Sequence, residues 1–574
     1  MKKSIIYIAA LLPVLFTGCD FLDHEPDMRA TINTKEKVQL LLVSAYTYAN
    51  SGAICEFSSD NMIDNTVPDP KTGHANAVNP LSEMYNEIFA WRPVVSTGYQ
   101  DSPKYIWDAN YSAIATANQA LQAIEKLEAE GINMDAEKGE ALLCRAYHHF
   151  LLAGVFCQTW KNEKDSKKDL GITYMTEPET KVAPHYERGT LYDTYQQIEK
   201  DLEAGLKLVS DDYYSVPKYH FNVKAAHAFA ARFYLYKRDW AKVVEHANQV
   251  LTTNDETTLA MLYDAQTGRD LGDPTQEFMH FIDASAQSNL LLYTTNSQYS
   301  YTVLPSYGRY QNNGDAQEYS AGGSGPCWSG QFPGFGLWTA DQKLGSFCAK
   351  AYYLFEYTDK VNGYGYIHAV TRAFTTNETL LCRAEAKIFL NDIAGATNDL
   401  RLWAQGYNVS NRMDTINGKV NLTEKKIKDF YSPNANQNLV PTLHNLDLDP
   451  AWTISDEQLP FVHCAIHFRR IEGLYDGLRW HDLKRYGIEI THVQGKDAPR
   501  ILVWNDDRRA IQLPQEVILA GMTANPREVL GDHVDGYIST ATPLQPNEVY
   551  TPSTPQASSV GSIPKYTLKP INND

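Results

Sequence analysis

Between about Pro103 and Leu251 apolar side chains recur every three or four positions, the spacing that places them on one face of a helix. Tyr195, Ile198, Leu202, Leu206 and Val209 form one such stripe, and Thr190 with Asp193 has the residue types and spacing of a capping-box start. Ala141 to Phe156 is apolar on most of its circumference, which predicts a central helix. Adjacent positions on a helix point apart, so His148 and His149 read as packed residues and not as a ligand pair.

A weak repeat joins two distant stretches. Residues 231–241, from Ala231 through Asp239 to Ala241, are similar to residues 384–394, from Ala384 through Asp392 to Ala394. In both, a helix ends in an aromatic-containing turn, Asp restarts the chain as an N-cap, and alanines follow where two helices can approach closely. The reading is mainly α: a tetratricopeptide-like framework of helical pairs over about 103–252 and 376–405, interrupted by long irregular insertions over about 253–375 and 406–460. Ser324-Gly325-Pro326 and Phe332-Pro333-Gly334 mark turns in the first insertion. Insertions of this length in a compact chain are usually functional.

The start of the chain has a different pattern. Lys2 and Lys3 precede an apolar run from Ile5 to Phe16, too short to span a bilayer and typical of a secretory leader. Phe16-Thr17-Gly18-Cys19 resembles the lipobox of a bacterial lipoprotein, although Leu15 stands one position early. Residues 1–18 are therefore expected to be a signal peptide, and Cys19 the lipidated first residue of a mature domain spanning 19–574. Several acyl chains would hold that domain at a membrane, each buried methylene contributing about 0.8 kcal/mol.

Charge and composition narrow the partners. A net charge of −18 without clustered Lys and Arg argues against nucleic acid. The 36 Tyr and 10 Trp exceed what a core of this size needs, and rings with a polar tip suit contact with partly polar ligands. Seven cysteines beyond Cys19 have no framework spacing, so no disulfide scaffold is expected; Cys327 with Cys348 is the pair to test first. Cys144 and Cys382 fall in apolar helical stretches as small hydrophobes.

The sequence has no GxSxG elbow, no P-loop and no HExxH, and paired carboxylates of the glycosidase kind stay open because their separation is spatial. His463, Cys464 and His467 lack the further ligands that a metal needs, so neither metal nor cofactor is expected.

Four stretches resemble the SusD/RagB family of outer-membrane nutrient-binding lipoproteins. They are Cys19-Asp-Phe-Leu-Asp23 with Pro26, Ala141–Phe150 with its Cys-Arg-Ala-Tyr, Glu378–Ala386 with Arg-Ala-Glu-Ala, and the Arg-rich Arg469–Arg485 with Gly-Leu-Arg-Trp-His-Asp-Leu. Leu513-Pro514-Gln515-Glu516 resembles the closing segment of the C-terminal signature, about 461–530. Thr375 stands where the family commonly has Arg, and Tyr475-Asp476 replaces the more usual Phe-Glu.

The resemblance implies a SusD-like fold and a cell-surface protein that binds and does not catalyse. It would capture oligo- or polysaccharide and deliver it to a SusC-like TonB-dependent outer-membrane transporter. A peptide-capturing RagB-like member and an outer-membrane assembly lipoprotein are the alternatives. Sugar contacts are expected from early and middle loops: Asp60, Asn61, Trp91, Tyr301, Tyr307, Arg309, Trp328 and Trp338, with Tyr310, Gln311 and Asn312 nearby. Trp107, Trp240, Trp403 and Trp480 are expected in the core, and the charges of the Arg469–Arg485 stretch are expected to lock two parts of the chain.

Overall fold

Thr190 and Asp193 do form a reciprocal capping box, and the helix they start buries Leu191, Tyr195, Ile198 and Leu202 on one face. It ends at Leu206, so Val209 lies just past it. This is a computed structural model of the chain. It describes residues 31–527 except 69–74, 77, 79–81, 96–99, 181–184, 304–307, 342–344 and 445–453, and the backbone of residues 569–570. The leader, Cys19, Tyr307 and the tail beyond Asn547, apart from residues 569–570, lie outside the described residues.

Among the described residues three short helices precede the frame: α1 (Lys35–Leu42), α2 (Gly52–Ser58) and Glu83–Phe89. The frame consists of α3 (Pro103–Ala129), α4 (Asp135–Phe156), α5 (Leu191–Leu206), α6 (Val223–Lys237), α7 (Trp240–Val250), α8 (Thr376–Phe389) and α9 (Ile393–Gly406). The signature follows as α10 (Leu459–Glu472) and α11 (Leu478–Tyr486). Each helix packs on the next: α3 on α4, α4 on α5, α6 on α7, α7 on α8, and α8 on α9 and α10.

The repeat is built as its residues require. Arg238 at φ 70° and Asn391 at φ 62° take the left-handed conformation that ends α6 and α8. Asp239 and Asp392 then cap α7 and α9 through their side chains. A second repeat is spatial. Leu-Leu-Cys-Arg-Ala occurs at 142–146 in α4 and at 380–384 in α8. Arg145 grips Asp201 of α5 with Nε and Nη2 at 2.7 and 2.8 Å, while its Nη1 donates to Asn118 of α3 and the Thr176 carbonyl. Arg383 grips Asp399 of α9 at 2.9 and 2.8 Å, while its Nη1 donates to Asn248 of α7 and the Thr252 carbonyl. One guanidinium thus joins three helices twice, a use of Arg's rigid fork that Lys cannot reproduce.

The first insertion is less irregular than its composition implies. Three helices of six to eight residues, Asp255–Ala260, Ala265–Asp270 and Pro274–Phe281, are each capped by an Asn or Asp side chain. They are too short for a helical period to show in sequence. A three-stranded antiparallel sheet follows, made of β1 (Asn289–Thr295), β2 (Leu354–Asp359) and β3 (Tyr364–Thr375), with β3 in the middle. Strand β3 runs directly into α8, and Thr375 caps that helix through its side chain.

In the C-terminal signature, Arg469 and Arg485 share Asp482, and Arg485 also grips Glu385 of α8. Arg479 reaches Asp60 with two bonds of 2.8 Å. Trp480, Trp403 and Trp107 are buried, and Trp240 stacks on Phe389 at 4.2 Å. The turn between α10 and α11 needs Gly477 at φ 75°, because a Cβ there would lie 2.6 Å from the Cα of Gly52 at the start of α2.

Candidate ligand site

The tryptophans expected as sugar platforms are interior residues. Trp91 is 3%, Trp328 5% and Trp338 3% exposed, which leaves no ring face for a ligand to cover. Trp91 donates to the Ser58 carbonyl and stacks on His492 at 4.3 Å; His492 stacks in turn on Phe89. Trp328 lies over Gly325, where a Cβ would come within 2.2 Å of its ring, and packs against Phe332 and Phe468. Trp338 donates to the buried carboxylate of Glu277 at 2.9 Å. The turn-rich surroundings do not expose these rings, because the glycines and prolines let the chain fold over them.

The early and middle loops do meet. Residues 63–64 pair antiparallel with 310–311, which draws Asp60 and Asn61 towards Arg309. The polar groups are spent on one another. Asn61 donates to Glu56 and accepts from Arg470, and its carbonyl accepts from Asn312. Asp60 is gripped by Arg479; burial would raise its carboxyl, but Arg470 and Arg479 hold it well below the usual range. Arg309 donates to Asp64 at 2.9 and 3.1 Å and to Asn86 at 3.0 Å. Tyr310, Gln311 and Asn312 are buried. Of the expected set, Tyr301 keeps an open ring: it is 36% exposed and meets the half-buried Tyr353 edge-on at 5.8 Å. Tyr353 stacks on Tyr352 at 5.3 Å.

These three tyrosines lie beside a cleft with about 100 Å³ of free space, which Tyr352 lines and Ser300 joins. Its walls come from α4, α6, β3 and the α10–α11 turn. Arg372 of β3 projects over the Phe281 ring at 4.9 Å, and its Nη2 is 3.6 Å from Oδ2 of Asp476. Lys350 holds that same oxygen at 3.1 Å and also donates to the Glu472 carbonyl. The hydroxyls of Tyr236 and Tyr299 are buried here without a hydrogen-bond partner among the described residues. A second hollow of about 270 Å³, beside Trp107, Tyr111 and Met175, is almost wholly apolar at its surface.

The sequence signals for this cleft were partial. Asp476 belongs to the signature and Tyr236 to the repeat, but nothing in the alternation of β3 marks Arg372 as lacking a partner. His463 and His467 are buried, and His467 Nδ1 lies 2.7 Å from the Tyr431 hydroxyl. Cys327 and Cys348 are both buried free thiols, so the pair singled out from sequence does not form.

Comparison with known proteins agrees with the architecture. Residues 20–235 match the SusD-like family model described as "Starch-binding associating with outer membrane". The structure is similar to that of a SusD superfamily protein from Bacteroides thetaiotaomicron VPI-5482, with a TM-score of 0.55 at 16% identity over 86% of this chain and 99% of that one. The chain has the fold of the SusD-like structures. Two further SusD-like neighbours have the same fold. One is a SusD-like carbohydrate binding protein from Bacteroides vulgatus ATCC 8482, with TM-score 0.53 and 16% identity over 84% and 96% of the two chains. The other is a SusD superfamily protein from Bacteroides fragilis, with TM-score 0.54 and 15% identity over 85% and 98%. No curated protein matches the chain. Among the described residues, no helix is long and apolar enough to cross a membrane.

Proposed function

We propose that this SusD-like chain is a carbohydrate-binding protein of the outer membrane, tethered through Cys19 on the cell exterior. In this reading it captures oligo- or polysaccharide without catalysis and passes it to a SusC-like TonB-dependent transporter. The observation that carries the reading is the group of Tyr301, Tyr352 and Tyr353 beside a polar cleft. A sugar ring has an apolar C–H face and a rim of hydroxyls, and phenol rings beside hydrogen-bonding groups match both. The description of the matched family and the name of the Bacteroides vulgatus neighbour support the same ligand class.

The test is gel retardation of the soluble form beginning at Asp20 on a panel of polysaccharides, followed by calorimetry. We expect retardation by one glycan class, weakened about tenfold in the Tyr301→Ala/Tyr353→Ala double variant. Silence across the panel would overturn the reading.

A further inference from the structure

Arg372 differs from the other arginines of the interior. Its side chain is 5% exposed, yet it donates no hydrogen bond to any described group. The nearest carboxylate oxygen, at 3.6 Å, is beyond hydrogen-bond range. Arg145, Arg232, Arg383 and Arg485, by contrast, are each bonded to a carboxylate through two nitrogens. A buried guanidinium whose donors are unmatched is costly unless something else accepts from it.

Other groups lining the same cleft are also incompletely matched. Asp476 is 31% exposed, and both of its ion pairs use Oδ2, so Oδ1 accepts no hydrogen bond from the described residues. The phenol hydroxyls of Tyr236 and Tyr299 line the same cleft, 4% and 1% exposed as residues, and lack partners among the described residues. The wall therefore presents unmatched donors, an unmatched acceptor, and two hydroxyls able to act either way.

We propose that this cleft is a subsite for one neutral sugar residue at a chain end, with two vicinal hydroxyls held between the Arg372 guanidinium and Asp476 Oδ1. The proposal rests on the carbohydrate reading above and adds to it the position and chemistry of the end residue. A vicinal diol suits the wall because each hydroxyl can accept from the guanidinium, and one can also donate to the carboxylate. The charges of Arg372 and Lys350 are balanced by Asp476 and Glu472 on the same wall, which favours a neutral ligand over an anionic one. Size limits the occupant to one residue: the free space is about 100 Å³, where a single water needs roughly 10–15 Å³. The rest of the glycan would leave past Tyr352 towards Tyr353 and Tyr301.

The experiment is calorimetry of the soluble chain with neutral gluco-, manno-, galacto-, xylo- and arabino-hexasaccharides and with a hexauronate. It compares the wild type, Asp476→Asn, Tyr236→Phe, Tyr299→Phe and the Tyr301→Ala/Tyr353→Ala variant. Asp476→Asn should weaken binding of a neutral hexasaccharide about 10- to 100-fold, the effect of losing a charged hydrogen bond. The two Phe variants should each weaken it several-fold while melting no lower than the wild type, because each removes a buried hydroxyl that lacks a partner. Loss of binding in the Tyr301/Tyr353 variant, with Asp476→Asn and both Phe variants at wild-type affinity, would overturn the subsite and leave glycan capture standing. Wild-type silence towards every probe would overturn both, and preference for the hexauronate would overturn the neutral occupant.

Discussion

Two Arg–Asp pairs separate the frame of this molecule from its cleft. Arg383 and Asp399 meet through two hydrogen bonds of 2.9 and 2.8 Å, and a third nitrogen of the same guanidinium is also bonded. Arg372 and Asp476 approach only to 3.6 Å, and the guanidinium has no hydrogen bond to any described residue to compensate. The first pair has the completeness of a structural joint, repeated almost atom for atom by Arg145 and Asp201. The second has the incompleteness expected where a ligand is to be received.

The largest effect that would test this contrast is loss of a joint. Removing one partner of a buried ion pair leaves the other charge uncompensated and typically costs about 3–5 kcal/mol. Arg383→Ala and Arg145→Ala should each lower stability by about that amount in urea unfolding. Arg372→Ala should cost much less, because its donors have no hydrogen bonds to described residues to lose. Equal losses in all three would mean that Arg372 is a joint like the others.

The next effect separates interior tryptophans from open tyrosines. Trp328→Ala should cost about 3–5 kcal/mol, the range for emptying a buried large aromatic site. Tyr301→Ala should fall within about 0.5 kcal/mol of wild type, as surface changes do, while weakening glycan binding. A stable Trp328→Ala with lost binding would restore that ring as a platform. This is also where the sequence was least legible. The frame showed itself in local signals: the Thr190–Asp193 cap, the Asp239 and Asp392 restarts, and the Arg-rich signature. Whether a ring in a Gly- and Pro-rich segment faces solvent depends on what folds over it, as Gly325 folds against Trp328, and no local pattern records that. Arg372 was illegible for the same reason, since lacking a partner is a property of space.

The smallest effect compares how the buried histidines and the buried carboxyls before α3 titrate. Burial lowers His148, His227, His463 and His492 to about 4 and His149, His467 and His481 to about 3; all but His492 lie on helices of the frame or signature. Burial raises Glu56, Glu87 and Asp101, all in the segment before α3, to about 7. The signs oppose each other. As pH falls below about 6.5 the unfolded chain protonates histidines that the native state keeps neutral, so those seven lose stability down to about pH 4. Over the same window the three carboxyls stay protonated in the native state while ionised in the unfolded one, so they gain stability on acidification. Seven groups outnumber three, and the melting temperature should fall between pH 6.5 and 4. Hydrogen exchange followed by mass spectrometry should localise the balance: protection in α4 and α10 should drop on acidification before protection in α2 does. A melting temperature that rises towards pH 4 would show that the carboxyls before α3, and not the histidines, dominate the proton balance.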